Sequence, residues 1–199
     1  MDDTDLVNGA RSGDDRALAD IYGRYADRVH DFATAVLRDD ELASAATTAT
    51  FRSAADHLHL LEDPTRLRTW LFAIARREVV QADRERVAPT GPAVVDAGAD
   101  EGTRLAALVW HASAALGIRE RVVMDLSLRQ GLEGQDLADA LGVSLSDSYV
   151  LLANMREDTE RQLGAHLVAN LGQERCPDLA KMVRSWDCLL YTSPSPRDS

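Results

Sequence analysis

Lysine, cysteine and long apolar runs are scarce in this sequence. Lys181 is the only lysine among 22 basic residues, so arginine supplies nearly all the positive charge. The two cysteines, Cys176 and Cys188, are too few for a disulfide framework. No stretch approaches the roughly 20 apolar residues that span a bilayer, and the acidic first residues lack the positive segment of a signal peptide. These absences predict a cytoplasmic protein that does not enter a membrane.

The composition that remains favours helices. Hydrophobic residues make up 45% of the chain and aromatic residues only 5%. Alanine and leucine dominate the hydrophobic set, and both lose little side-chain freedom in a helix. The net charge of −11 argues against a protein that coats nucleic acid with its whole surface. Any contact with DNA must therefore come from a local basic patch.

Apolar residues recur at spacings of three and four through the first part of the chain, which predicts amphipathic helices. The predicted helices cover 4–11, the long segment from Arg16 to Leu37, a segment capped by Asp39 or Asp40, and one opened by Pro64. Residues 87–102 lose this periodicity and are rich in Pro, Gly, Ala and Asp, which indicates a flexible linker. A first helical domain is thus expected over 1–86.

A second helical domain is expected over 103–168. Residues 169–187 follow as a truncated C-terminal extension, and 188–199 fit no pattern and are interpreted as a non-native tail. The natural protein is accordingly expected to be longer. The predicted fold class is all-α, with two small helical domains joined by a flexible linker.

Residues 135–152 predict a helix-turn-helix inside the second domain. Ala138 is small where two helices must cross, Gly142 suits a left-handed turn, and Ser144 with Asp147 forms an N-terminal cap. An ordinary helical hairpin is the alternative interpretation. Residues 103–166 hold six arginines against nine acidic residues, so this domain alone should bind DNA weakly.

Residues 64–86 form the basic patch that the overall charge requires. Six arginines and three acidic residues give this segment a net charge of +3, and Trp70 and Phe72 lie among the arginines. Aromatic rings beside guanidinium groups suit single-stranded DNA, on whose unstacked bases they stack. A helix with core aromatics and a solvated arginine face explains the same pattern equally well.

The order of these signals resembles extracytoplasmic-function sigma factors of the sigma-70 family. Residues 20–32, Phe51 and the Arg-Thr-Trp-Leu-Phe-Ala-Ile-Ala-Arg-Arg segment at 68–77 are similar to region two of that family, and the helix-turn-helix is similar to region four. The resemblance covers about residues 5–168. It implies a promoter-specificity subunit that directs core RNA polymerase to promoters and assists DNA melting, with promoter DNA and an anti-sigma factor as further partners.

The resemblance also implies three sets of contact residues. The set for minus-ten DNA is Trp70, Arg76, Arg77, Arg84 and Arg86. The set for minus-thirty-five DNA is Ser144, Ser146, Ser148, Tyr149 and Arg156. The polymerase-binding set is Ala45, Thr48, Ala49 and Phe51, and here the sequence departs from the family, because Ala45, Thr48 and Ala49 occupy positions where acidic residues and glutamine are usual.

No catalytic motif, phosphate-binding loop or metal-ligand spacing is present, so the sequence predicts neither an enzyme nor a cofactor or metal. Two other functions remain open. One is a stand-alone helix-turn-helix regulator whose first domain mediates dimerisation or sensing. The other is a degenerate sigma-like module that acts only through protein interactions, which the missing acidic motif favours.

Overall fold

The fold was obtained as a computed structural model, which describes residues 1–85 and 116–172, with side chains as far as Gly164. Every regular element in these two ranges is helical, so the predicted all-α class is confirmed. Arg86, the predicted linker, residues 103–115, the tail and all but the first residues of the C-terminal extension lie outside the described residues.

Four helices occupy the first range. They are α1 (Asp3–Arg11), α2 (Asp15–Leu37), α3 (Asp40–His57) and α4 (Leu67–Glu85), with short 3-10 turns at Leu58–Leu60 and Pro64–Arg66 between the last two. An aspartate caps the start of each of the first three helices, since the side chains of Asp2, Asp14 and Asp39 accept hydrogen bonds from main-chain N–H groups one turn in. The sequence allowed either Asp39 or Asp40 as the cap of α3, and the structure shows that it is Asp39.

Three helices occupy the second range. They are α5 (Ile118–Met124), α6 (Gly134–Leu141) and α7 (Leu145–Gly172), and a turn of π-helix at Asp125–Arg129 extends α5. Gly142 ends α6 with φ at +66°, a left-handed conformation that glycine adopts without steric penalty. The predicted hairpin of two helices around Gly142 is therefore present, and α6 begins two residues after Leu132, the first apolar residue of this segment.

Residues 1–85 and 116–155 belong to one compact unit, and residues 156–172 belong to a second. The first unit has two buried clusters that meet along α2, α3 and α4. One cluster joins α1, α2, α3 and α4 around Leu6, Tyr25 and Leu71. The other joins Phe32 of α2 and Phe72 of α4 to residues of α5 and α6, including Leu126 and Leu137. The hairpin thus shares a core with the first four helices, while the predicted division at 87–102 stays a prediction.

Within the described part of the second unit, α7 carries its own ion pairs. Arg161 contacts Glu157 at 2.9 Å and Asp158 at 2.7 Å along the same helix. Among all the described helices, none combines the length and apolar character that crossing a bilayer requires.

Candidate nucleic-acid interface

The turn between α6 and α7 is built from the residues that the sequence marked for it. Ala138 is fully buried where the hairpin closes, and Val143 packs against the core. Ser144 caps α7, because its Oγ accepts a hydrogen bond from the N–H of Asp147 at 3.1 Å and donates to the carboxylate of Asp147 at 2.7 Å. These contacts fix the direction in which α7 leaves the turn.

The start of α7 presents an exposed surface that is polar at the cap and apolar one turn later. Ser144 and Ser146 are exposed, with their hydroxyl oxygens 2.9 Å apart. Tyr149 and Val150 are each 57% exposed. The first residues of a recognition helix are those that contact base edges in a major groove. Four side chains of suitable size therefore line this surface.

Ser148 is the predicted contact that the structure does not bring to this surface. Its side chain is buried, and its hydroxyl donates to the carbonyl of Leu145 at 2.7 Å. A serine in a helix readily bonds back to a carbonyl one turn earlier, which removes its hydroxyl from any external partner. We therefore leave Ser148 out of the interface.

Val150 is the residue at this surface that sequence reasoning missed. From the spacing of apolar residues alone, either Val150 or Leu151 can be the inner position of this helix, and the structure packs Leu151 against the core. Arg156, the last predicted contact of this set, is exposed on α7 in the second unit.

The predicted minus-ten residues of α4 divide between two faces. Three of them follow one another at intervals of seven residues, a spacing that keeps side chains on almost the same side of a helix: Trp70, Arg77 and Arg84. Arg77 and Arg84 are exposed and Trp70 is half-buried, so these three form a basic and aromatic stripe that we call the α4 stripe. Arg86 lies outside the described residues.

Arg76 points away from the α4 stripe and contacts the hairpin. Its Nε donates to the carbonyl of Ala140 in α6 at 3.0 Å. Burial, and then the neighbouring Arg77, lower the pKa of Arg76 below its usual value. A side chain at Gly142 would begin 3.1 Å from Nη2 of Arg76, so this glycine also allows the two segments to approach. The structure thus assigns Arg76 to an internal contact.

A second arginine also connects the first four helices to α6. Arg66, just before α4, contacts Asp136 and Asp139 of α6, each at 2.6 Å. The Arg66 side chain is 37% exposed. Exposed ion pairs contribute little free energy, about 0–1 kcal/mol. Their geometry nevertheless fixes how α6 is aligned beside α4.

The predicted polymerase-binding residues lie on α3. Ala45 and Thr48 are exposed, while Ala49 and Phe51 are half-buried. The hydroxyl of Thr48 donates to the carbonyl of Ser44 at 3.0 Å, so it is already partnered within the helix. The exposed part of this set is therefore neutral, as the sequence indicated.

An apolar groove of about 270 Å³ lies between α2, α3 and α4. Phe51 and Trp70 form part of its wall. The ring of Tyr22 meets that of Phe51 edge to face, with centroids 4.8 Å apart. The spacing of three and four among the apolar residues of 16–37 predicts an inner position for Tyr22, but this side chain is 52% exposed. The sequence could have indicated this exposure, because Tyr22 directly follows the buried Ile21 and consecutive residues of a helix do not share one face.

Comparison with known proteins identifies the fold. No protein-family model and no curated protein matches this sequence. Among solved structures, the chain is similar to CnrH, an extracytoplasmic-function sigma factor, in the structure of its complex with the cytosolic domain of CnrY. The TM-score is 0.64 at 24% sequence identity, over 82% of this chain and 97% of that chain. The fold is therefore like that of an extracytoplasmic-function sigma factor.

Proposed function

We propose that this chain is a sigma factor of the extracytoplasmic-function type. It binds core RNA polymerase in the cytoplasm, directs it to particular promoters and assists DNA melting, without a cofactor and without group transfer. One observation carries the proposal: a capped helix-turn-helix and the α4 stripe of Trp70, Arg77 and Arg84 occur together in a fold that resembles CnrH.

The α4 stripe is suited to an opened minus-ten element. Arg77 and Arg84 place two exposed cations on one side of α4, where they can neutralise phosphates. Trp70 lies between them and the groove, and stacking of an unpaired base on an aromatic ring contributes about 1–3 kcal/mol. Cations beside an aromatic ring favour single strands over duplex, and such a surface stabilises DNA once it has melted.

The start of α7 is suited to the minus-thirty-five element. Ser144, Ser146 and Tyr149 offer hydroxyl groups, and Val150 offers an apolar contact of the kind that recognises the methyl group of thymine. Arg156 follows as a phosphate contact. With few cations on this helix, duplex binding depends on polymerase holding the hairpin over the promoter.

The neutral surface of α3 and the groove beside it provide the polymerase contact in this proposal. The exposed part of α3 carries no charge at Ala45, Thr48 and Ala49. Affinity for polymerase must therefore come from apolar contacts that include Phe51 and Tyr22. An anti-sigma factor is a further proposed partner, because CnrH was solved in complex with the cytosolic domain of CnrY.

A second candidate is a sigma-like protein-interaction module that does not initiate transcription. The neutral α3 surface favours it, since the residue types usual for polymerase binding are missing there. A third is a stand-alone regulator, which the intact hairpin geometry alone would allow.

Reconstituted transcription separates these functions. Core polymerase, the purified chain and a pool of genomic promoter fragments should give transcripts with defined start sites. An Arg77→Ala/Arg84→Ala variant should lose them, and an Arg16→Ala/Arg28→Ala variant, which removes two exposed arginines from α2, should not. Tight duplex binding without polymerase would support the regulator instead. A stable complex with polymerase that yields no specific transcripts would support the interaction module.

A further inference from the structure

One side of α7 carries a row of exposed side chains that continues beyond the surface at its start. Ser146, Val150 and Asn154 follow one another at intervals of four residues, a spacing that places side chains on the same face of a helix. All three are exposed, whereas Leu151 and Met155 pack into the core from the other side. We call these three exposed residues the α7 row. The whole row belongs to the first unit, which includes α7 as far as Met155.

Asn154 presents an amide group that the fold does not use. Within the part of the chain that the structure describes, this amide has no hydrogen-bond partner. The polar side chains earlier in α7 differ, since Ser144 bonds to Asp147 and Ser148 bonds back to a carbonyl of the helix. An asparagine amide has both an acceptor and a donor, and together they match N6 and N7 of adenine in the major groove. Asn154 is therefore available for a base edge.

Val150 lies one turn before Asn154 and adds an apolar contact to the same face. Four residues advance about 6 Å along a helix, and successive base pairs are about 3.4 Å apart. The two side chains can therefore reach bases that are one or two steps apart. The methyl group of thymine is the apolar feature of the major groove. Ala153 is also exposed beside Asn154, and its short side chain lets α7 approach the base edges.

The groups that favour a G·C pair are missing or occupied along this segment. No arginine or lysine occurs between Ser144 and Met155, and Arg156 is the first cation of α7. An arginine or lysine bonded to O6 and N7 is the commonest specific contact with guanine, and a carboxylate suits the amino group of cytosine. Asp147 has the only carboxylate between Ser144 and Met155, and it already accepts a hydrogen bond from Ser144 at 2.7 Å. The exposed side chains of this face therefore suit A·T pairs.

We infer that the α7 row reads A·T base pairs, with Asn154 bonded to N6 and N7 of an adenine and Val150 in contact with the methyl group of a thymine one or two pairs away. This inference rests on the proposed function, in which the start of α7 enters the major groove of the minus-thirty-five element. Asn154 and Val150 then determine which sequence is read. Neither of them neutralises a phosphate, so they contribute specificity and leave most of the affinity to polymerase.

Base analogues test each contact one group at a time. Core polymerase and the chain first select a minus-thirty-five element from promoters randomised there, and the selected element should be rich in A·T pairs. Replacing the contacted adenine by 7-deazaadenine removes only N7, and transcription should fall by about two- to tenfold, the factor for one hydrogen bond. Replacing the contacted thymine by uracil removes only the methyl group, and transcription should fall by about fourfold. Single replacements along the element locate the two positions.

Two variants connect these losses to the two residues. Asn154→Ala should be indifferent to 7-deazaadenine and remain sensitive to uracil, and Val150→Ser should show the opposite pattern. Both side chains are exposed, so the thermal unfolding temperature should hardly change. Asn8→Ala is the matched control, because it removes an exposed asparagine from α1 and should respond to both analogues as the wild type does. Selection of a G·C-rich element, or the same response of Asn154→Ala and wild type to every 7-deazaadenine, would overturn the inference.

A binding measurement without polymerase separates this inference from the proposed function. If the wild type gives no specific transcripts with polymerase, the proposed function fails, and base reading is judged with the chain alone and a random duplex pool at low salt, where weak binding to DNA is strengthened. Duplexes recovered by the wild type should be rich in A·T pairs and should bind about two- to tenfold more weakly with 7-deazaadenine. Asn154→Ala should show neither effect. Binding without a base preference, or no binding at all, would overturn the inference.

Discussion

The hydroxyl of Tyr25 donates a hydrogen bond to Oδ2 of Asp3 at 2.5 Å. This bond attaches α1 to α2, and Arg24 adds an ion pair to the same carboxylate at 2.7 Å. Tyr25 is 6% exposed. Burial is the main cause that raises the pKa of Tyr25 to about 12, and the hydrogen bond to Asp3 is the next.

The stability of the protein should fall between about pH 10 and pH 12 because of this tyrosine. Unfolded tyrosine has a pKa of about 10. The contribution of Tyr25 is therefore fully present below pH 10 and is lost as the pH rises towards 12, where the unfolded chain ionises first. Urea unfolding across this range should show a steeper decline for the wild type than for Tyr25→Phe. Parallel pH profiles for the two proteins would contradict the assignment.

Replacing Gly142 by alanine should destabilise the first unit by about 1–2 kcal/mol, the usual penalty of a left-handed residue that is not glycine. The new methyl group would also press on Arg76, whose Nη2 lies 3.1 Å from its position. Gly23→Ala is the matched control. Gly23 lies inside α2 with no atom in the way, so alanine there should stabilise by about 0.5–1 kcal/mol. Thermal unfolding of both variants gives the comparison, and equal shifts would count against the left-handed turn.

Trp70→Leu should weaken binding of single-stranded minus-ten DNA by about 1–3 kcal/mol, the contribution of one base stacked on an aromatic ring. Leucine keeps an apolar side chain in the groove wall, so most of the folding free energy should be retained. Phe72→Leu removes a ring from the same helix in the fully buried core and should reduce stability without changing strand binding. Loss of folding in Trp70→Leu, with normal strand binding by the folded fraction, would assign Trp70 to the core alone.

Tyr149→Ala should change the preference for minus-thirty-five sequences by about 1–3 kcal/mol if the ring or hydroxyl touches a base edge. Since Tyr149 is 57% exposed, the thermal unfolding temperature should hardly move. Tyr22→Ala removes a similarly exposed tyrosine from the proposed polymerase contact, so it should lower the total amount of transcript but leave this preference unaltered. The measurement is competitive transcription from promoters that differ only in the minus-thirty-five element. An unchanged ranking of promoters would exclude Tyr149 from that contact.

Local sequence signals were sufficient for most helix boundaries. Asp14 and Asp39 cap their helices through bonds that span two or three residues, and Gly142 ends α6 with the left-handed angle that its residue type indicates. Such features depend on neighbours along the chain, so a single sequence reveals them. The turn at Pro64 follows the same logic, because proline is compatible with the first position of a helix.

Contacts between distant segments could not be predicted in this way. Arg76 and Ala140 are 64 residues apart, and nothing in their spacing indicates that they meet. The same limit explains Ser148, whose hydroxyl is partnered inside the helix although serines at 144 and 146 are exposed. A short polar side chain suits a buried back-bond and an exposed site equally, so its orientation depends on how the whole helix is rotated against the core.

The aspartates that cap the helices also affect how strongly the protein binds chromosomal DNA. Asp2, Asp14 and Asp39 each neutralise the partial positive charge at a helix start, yet they still contribute to a net charge of −11. A chain with this charge is repelled by the phosphates of random DNA, which otherwise compete as about a million or more non-specific sites. For a protein of the proposed function, the acidity that shapes the helices also keeps unbound copies available to polymerase.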